Sequence, residues 1–137
     1  MSRSNILVVD DSEVSRSVLL SQLAYLGFCA EGADNGFVAV EKVTAHSYDL
    51  ILMDIFMPGI DGIETASRIR SIQRRLERKS PIVAVSGGAD KQTCLQSGLD
   101  DFMTKPLLLD DLRNLVERWL PPGDGAVEFE RKAPPES

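Results

Sequence analysis

Two rhythms of apolar and polar positions run along this chain. Short unbroken apolar runs stand far apart: Ile6-Leu7-Val8-Val9, Leu50-Ile51-Leu52-Met53 and Ile82-Val83-Ala84-Val85. A run of this length suits a strand buried on both faces, as parallel sheets require. Between the runs, apolar residues recur at steps of three and four, the signature of helices that bury one face. Val14, Val18, Leu19, Leu23 and Leu26 form the first such stripe, with Leu20 and Tyr25 off it. Ser12 caps this helix and Gly27 stops it. Phe28 to Ala33 reads as a weaker strand, Asp34-Asn35-Gly36 as a turn and Phe37 to His46 as a helix, with Val40 and Val43 facing inward.

After the third strand, Pro58-Gly59 turns the chain. Asp61 and Glu64 have the spacing of a capping box. Ile63, Ala66, Ile69 and Arg70 continue a third helix, which is expected to fray into the basic, solvated stretch Gln73 to Lys79. Pro81 announces the fourth strand, which Ser86-Gly87-Gly88 breaks. A short helix over about Ala89 to Ser97 ends at Gly98, and Asp101 to Thr104 is a short fifth strand. The last helix begins near Asp110-Asp111, acids suited to its positive end. Its apolar face is Leu112, Leu115, Val116, Trp119 and Leu120. Five strands thus alternate with five helices, which implies an α/β fold with a parallel sheet covered on both faces. Residues 1–4 read as a short extension and 5–120 as the folded domain. Residues 121–137 hold four of the seven prolines, and the expectation there is a disordered tail.

Composition narrows the function. With 43% apolar and 26% charged residues the chain resembles a soluble globular protein. A net charge of -6 argues against nucleic-acid binding and against an anionic membrane surface. No run is long enough to span a bilayer and no signal-peptide pattern opens the chain, so a cytoplasmic protein is expected. Cys29 and Cys94 form no metal pattern and read as small buried or half-buried residues. The lone histidine, His46, sits in a polar stretch where a catalytic triad or zinc site has nothing to build on.

The chemistry gathers at strand ends. Strand one runs into Asp10-Asp11, strand three into Asp54, strand four into Ser86 and strand five into Lys105. In a parallel sheet these ends share one edge, where α/β folds place their ligands. Each residue alone has an ordinary reading: a turn former, a helix cap or a solvated lysine. Together they set three carboxylates against one ammonium. Crowded carboxylates repel, and a divalent cation balances what Lys105 does not. Hard oxygen donors without His or Cys suit Mg²⁺ or Mn²⁺.

With Val8-Val9-Asp10-Asp11-Ser12, Met53-Asp54-Ile55-Phe56-Met57-Pro58, Asp61-Gly62, Ser86-Gly87 and Lys105-Pro106 in order, the chain resembles the receiver domains of two-component response regulators. Gly98 to Pro106 and the Arg-rich end of helix three are most similar to receivers of hybrid histidine kinases. The resemblance covers about Asn5 to Leu120. It implies a three-layer flavodoxin-like (βα)5 fold with sheet order 2-1-3-4-5. It implies Asp54 as phosphoacceptor, Asp11 as a direct metal ligand and Asp10 as one mainly through water. The Phe56 backbone carbonyl would be a further ligand. Lys105 would contact the phosphoryl group and Asp54, Ser86 would hydrogen-bond the bound phosphoryl group, and Phe102 matches the aromatic switch position. The implied partner is a histidine kinase or histidine phosphotransfer protein, with the chain a monomer or weak dimer. It would be no enzyme beyond promoting its own phosphorylation and dephosphorylation.

Two departures from the family pattern stand out. Gly87 replaces a common Ala, which would admit water to an acyl phosphate. Phe56 is bulkier than the family's usual residue and would shield it. Phe102 lacks a tyrosine hydroxyl, so any switch there is steric. Rival motifs are missing: no GxGxxG follows strand one, no GxxxxGK[ST] occurs, and Asp54-Ile55-Phe56 lacks the second acid of aspartyl-phosphate phosphatases. The remaining alternative is a receiver-like interaction module that is never phosphorylated. Leu20 and Tyr25, off the first helix's stripe, are candidates for a partner-docking patch.

Overall fold

The computed structural model describes residues 5–88 and 91–120. The extension over 1–4, the tail over 121–137 and the expected start of the fourth helix at Ala89 lie outside the described residues. The elements run β1 (Asn5–Val9), α1 (Glu13–Tyr25), β2 (Cys29–Ala33), α2 (Gly36–Ala45), β3 (Leu50–Met53), α3 (Gly62–Leu76), β4 (Ile82–Ser86), α4 (Lys91–Gln96), β5 (Asp101–Thr104) and α5 (Leu109–Trp119). All neighbouring strands are parallel, in the order β2-β1-β3-β4-β5. This is the order the resemblance implies.

Alternation along the central strands sorts their side chains into two cores. Ile6, Val8, Leu50, Leu52, Val83 and Val85 face one layer with α1 and α5, through Leu19, Leu23, Leu112 and Leu115. Leu7, Val9, Ile51, Met53, Ile82 and Ala84 face the other with α2 and α3, through Ala39, Val43, Ala66 and Ile69. Each residue step flips the face, so an unbroken apolar run supplies both layers. Truncating one such residue, for example Leu52 to Ala, costs about 2–5 kcal/mol. The edge strands β2 and β5 are less buried, so Cys29, expected to be at least half-buried, is exposed on β2, while Cys94 is buried as expected.

Three sequence expectations change. Val14 and Val18 are exposed; only Leu19, Leu23 and Leu26 of that stripe are buried. Four-residue spacing fits two adjacent stripes of α1, and only one of them meets the sheet. Leu20, set aside as off the stripe, packs against the core, whereas Tyr25 is exposed. Thirdly, α3 does not fray at Gln73. It continues to Leu76 and ends at Glu77, whose backbone is left-handed at φ 56°. Gln73 is buried and donates to Ser80 Oγ at 2.9 Å. Both N-cap side chains act as expected, Ser12 accepting from Ser15 N and Asp61 from Glu64 N. The Glu64 carboxylate does not complete a capping box but pairs with Arg68 at 2.8 Å.

Candidate functional site

Register builds the site. Val9 pairs with Met53, Met53 with Ala84, and Ala84 with Phe102, one row across four strands. The next residue on β1 is Asp10 and on β3 is Asp54. Their backbones extend the ladder one step past the strands: Asp10 N donates to Ala33 O at 3.0 Å and Asp54 N to Val9 O at 2.9 Å. Lys105 follows β5, its N–H donating to Ser86 O at 3.1 Å. All five residues expected at this edge are therefore brought together at it.

Carboxylate oxygens of Asp10, Asp11 and Asp54 lie within 4.8 Å of one another. Asp10 and Asp54 are buried and Asp11 is exposed. The Lys105 ammonium sits 2.8 Å from Asp10 Oδ2 and 3.8 Å from Asp54 Oδ2. One ammonium against three carboxylates leaves negative charge uncompensated. An all-oxygen donor set with that charge fits Mg²⁺ or Mn²⁺.

The two buried acids are pushed apart. Asp10 is held below the usual carboxylate value. Burial opposes its charge, but hydrogen bonds from Lys105, Ser15 and Ser12 outweigh that. Ser12 N donates to Oδ1 at 2.9 Å and Ser15 Oγ to Oδ2 at 2.7 Å. With both oxygens engaged, Asp10 suits contact with a cation through water. Burial pushes Asp54 up to about 6; Lys105 and the Phe56 N–H pull it down, while Asp10 and Asp11 push it further up. The two acids thus differ: Asp10 is held as an anion, while Asp54 is the more basic carboxylate.

Ser86 Oγ is buried and has no hydrogen-bond partner among the described residues. An orphaned buried hydroxyl is uncommon and calls for an explanation. Phe102 is partly buried against the α2–α3 core. In the β3–α3 loop, Gly62 N donates to the Ile55 carbonyl at 2.8 Å. Gly62 is where backbones crowd: a Cβ there would collide with Asp54 O and Ile55 Cα. A Cβ at Gly87 would meet nothing within 4 Å, whereas one at Gly88 would stand 3.7 Å from the Phe56 ring. The largely exposed Phe56 ring thus reaches across toward the β4–α4 loop. The residues missed from sequence are Ser15 and Arg16, which hold the Asp10 carboxylate and its carbonyl (Arg16 Nη1 to O, 2.8 Å). The available signal was their place in the first turns of the helix that follows Asp10.

The family described as response regulator receiver domain matches residues 6–117. The chain belongs to this family. It is 38% identical over 121 residues to hybrid signal transduction histidine kinase G of Dictyostelium discoideum, covering 85% of this chain and 4% of that protein. It is 36% identical over 114 residues to the sensor histidine kinase RcsC of Escherichia coli, covering 81% of this chain and 12% of the kinase. The receiver thus spans a small part of these curated relatives. Among solved structures, the receiver domain of the Pseudomonas aeruginosa sensor histidine kinase PA1611, with a magnesium ion in its active-site cleft, is 32% identical. It superposes with a TM-score of 0.76, covering 86% of this chain and 98% of that one. The Saccharomyces cerevisiae co-crystal of the phosphotransfer protein Ypd1 and the Ssk1 receiver matches at 29% identity and TM-score 0.76, covering 89% and 95%. These likenesses bear out the flavodoxin-like receiver fold. Among the described residues no helix is long and apolar enough to cross a membrane.

Proposed function

We propose that Asp54 accepts a phosphoryl group from a phosphohistidine of a histidine kinase or phosphotransfer protein, and that the added charge resets the Ser86–Phe102 region to control a partner. The observation that carries this is the uncompensated carboxylate cluster around Asp54 beside the orphaned Ser86 hydroxyl. Above pH 6 the Asp54 carboxylate is ionised and basic. One of its oxygens attacks phosphorus in line, the P–N bond to the donor breaks, and the departing imidazole keeps the electron pair. Asp11, Asp54 and the Phe56 carbonyl would hold Mg²⁺, with Asp10 reaching it through water. Bound there, the cation neutralises charge on the transferring oxygens. Lys105, already 3.8 Å from Asp54 Oδ2, follows the phosphoryl oxygens. Ser86 Oγ donates to one of them, and its movement opens space for Phe102.

Phosphorylation adds a charge of about -1.5 to -2. Moving the domain from almost wholly inactive to almost wholly active needs about 5.5 kcal/mol of preference between the two states. The docking face we propose is on α1. Val14, Val18 and Tyr25 share an exposed side of that helix. Beside Val18 lies a largely apolar recess of about 190 Å³ bordered by Leu19, Gln22, Lys105 and Leu107. An apolar helix face next to the acid cluster suits a helical donor that must bring its histidine to Asp54. We place the protein in the cytoplasm as a monomer or weak dimer that acts by protein contact. It binds neither nucleic acid nor membrane and is no enzyme toward other molecules. The net charge of -6 supports the absence of nucleic-acid and anionic-membrane binding.

The test is incubation with phosphoramidate and Mg²⁺ followed by intact mass. The wild type gains one phosphoryl group, a chelator suppresses the gain, and Asp54→Asn shows none. A gain that persists in Asp54→Asn, or no gain in the wild type, rejects the proposal.

A further inference from the structure

The opposite end of the sheet holds a concavity that phosphoryl chemistry at Asp54 does not use. The last turns of α3, the loop to β4 and the α4–β5 loop enclose about 370 Å³ between Arg70, Arg74, Arg78, Lys79, Gly98 and Asp100. Four cations thus face one carboxylate in a chain whose net charge is -6. The carboxylate is already engaged: Asp100 Oδ2 accepts from Arg70 Nη2 at 2.6 Å and from Ile82 N at 2.8 Å. Arg70 Nη1 also donates to Ser80 O at 2.7 Å. Arg78 Nη1 donates to Val43 O at 3.1 Å and His46 O at 3.3 Å. Two guanidinium groups are therefore braced by backbone carbonyls. Among the described residues no carboxylate pairs with Arg74, Arg78 or Lys79.

Cations in the last turn of a helix favour its negative end, which accounts for Arg74 and Arg75. Arg78 lies past the end of α3 and braces the carbonyls at the end of α2 with Nη1, but neither helix end accounts for Lys79 or for the hollow these residues border. Gly98, at φ 99°, leaves open space where a side chain would stand.

We propose that this concavity binds a small molecule carrying an oligophosphate chain, held by Arg74, Arg78 and Lys79. Guanidinium forks match pairs of phosphate oxygens, and an ammonium adds a point charge. The lining includes no aromatic ring on which a base would stack, so the phosphate chain is the part recognised. The volume lies in the range of small-molecule sites and exceeds what one phosphate fills. Asp100 precedes β5, the strand that carries Phe102.

Calorimetric titration of the full chain, in buffer stripped of divalent cations, tests this with tripolyphosphate, ATP and inorganic phosphate. Tripolyphosphate and ATP are expected to bind one per chain with Kd below about 1 mM, and inorganic phosphate more weakly. Arg74→Glu with Lys79→Glu should weaken binding at least about tenfold, and the neutral pair Arg74→Gln with Lys79→Gln should weaken it in the same direction. Arg75→Glu, outside the lining, and Asp54→Asn should leave it within about threefold. No saturable binding, ATP binding without tripolyphosphate binding, or an equal loss in Arg75→Glu or Asp54→Asn would overturn the proposal.

Discussion

At the amino ends of the strands the polar groups close on one another. Ser80 Oγ donates to Tyr48 O and accepts from Gln73, Arg70 bridges Ser80 O, Gly98 O and Asp100, and Asp49 accepts from Asn5 N. At the carboxyl ends the groups stay in want. Three carboxylates share one ammonium, Asp54 is pushed up to about 6, and Ser86 Oγ has no partner among the described residues. Both ends are built on the same strands, so burial alone does not separate them. The amino end spends these buried hydrogen bonds on stability and, among the described residues, leaves unpaired charge in the cations at its rim, Arg74, Arg78 and Lys79. The carboxyl end holds charge and hydrogen-bonding capacity in reserve for a ligand, the mark of a functional site.

The largest effect expected is on pH dependence. Asp54 has a raised folded-state pKa, about 6 against 3.8. Folding therefore favours its neutral form. That stabilisation is full below the unfolded pKa and lost as pH rises through about 6. Without metal, wild type should lose about 3 kcal/mol relative to Asp54→Asn between pH 3 and pH 7. Urea unfolding across that range checks this, and parallel curves would refute it. At the other end, Arg70→Ala should cost about 2 kcal/mol by stranding Asp100 and two carbonyls, yet leave phosphoryl uptake at the native rate. A smaller effect comes from Mg²⁺: at ten times its Kd it should stabilise wild type by about 1.4 kcal/mol, and Asp11→Ala should shift that response to higher metal concentration. Smallest in stability is Gly87→Ala, whose methyl enters open space. The unfolding midpoint should move by less than the equivalent of about 0.5 kcal/mol, while the phosphoryl lifetime lengthens as water is displaced. An unchanged lifetime would leave shielding to Phe56.

The carboxyl end was legible because unbroken apolar strands run directly into Asp10, Asp54 and Ser86, and parallel topology puts such ends on one edge. The amino end was not. Arg78 sits in a run that reads as solvated and Arg70 reads only as part of the third helix, and their partners, backbone carbonyls and for Arg70 also Asp100, are brought near only by the fold. The end of α3 at Glu77 carries no glycine, so nothing in the sequence marked it. On α1, Val14 and Val18 matched helical spacing as well as Leu19 and Leu23 did. Which stripe meets the sheet depends on how the helix is rotated, and that follows from packing against β1 and α5. The same ambiguity hid the exposed apolar face that the proposed function now uses.

The central claim is that the reserve at the carboxyl end serves transfer from a phosphohistidine. Mixing the chain with a phosphotransfer protein labelled on its histidine, in Mg²⁺, and following both proteins by mass with peptide mapping tests it most directly. The account predicts that the label leaves the donor and appears on the peptide containing Asp54, at equal rates in wild type and Arg70→Ala. A label that stays on every phosphotransfer protein tried, or one that maps to His46 or Ser86, would contradict it.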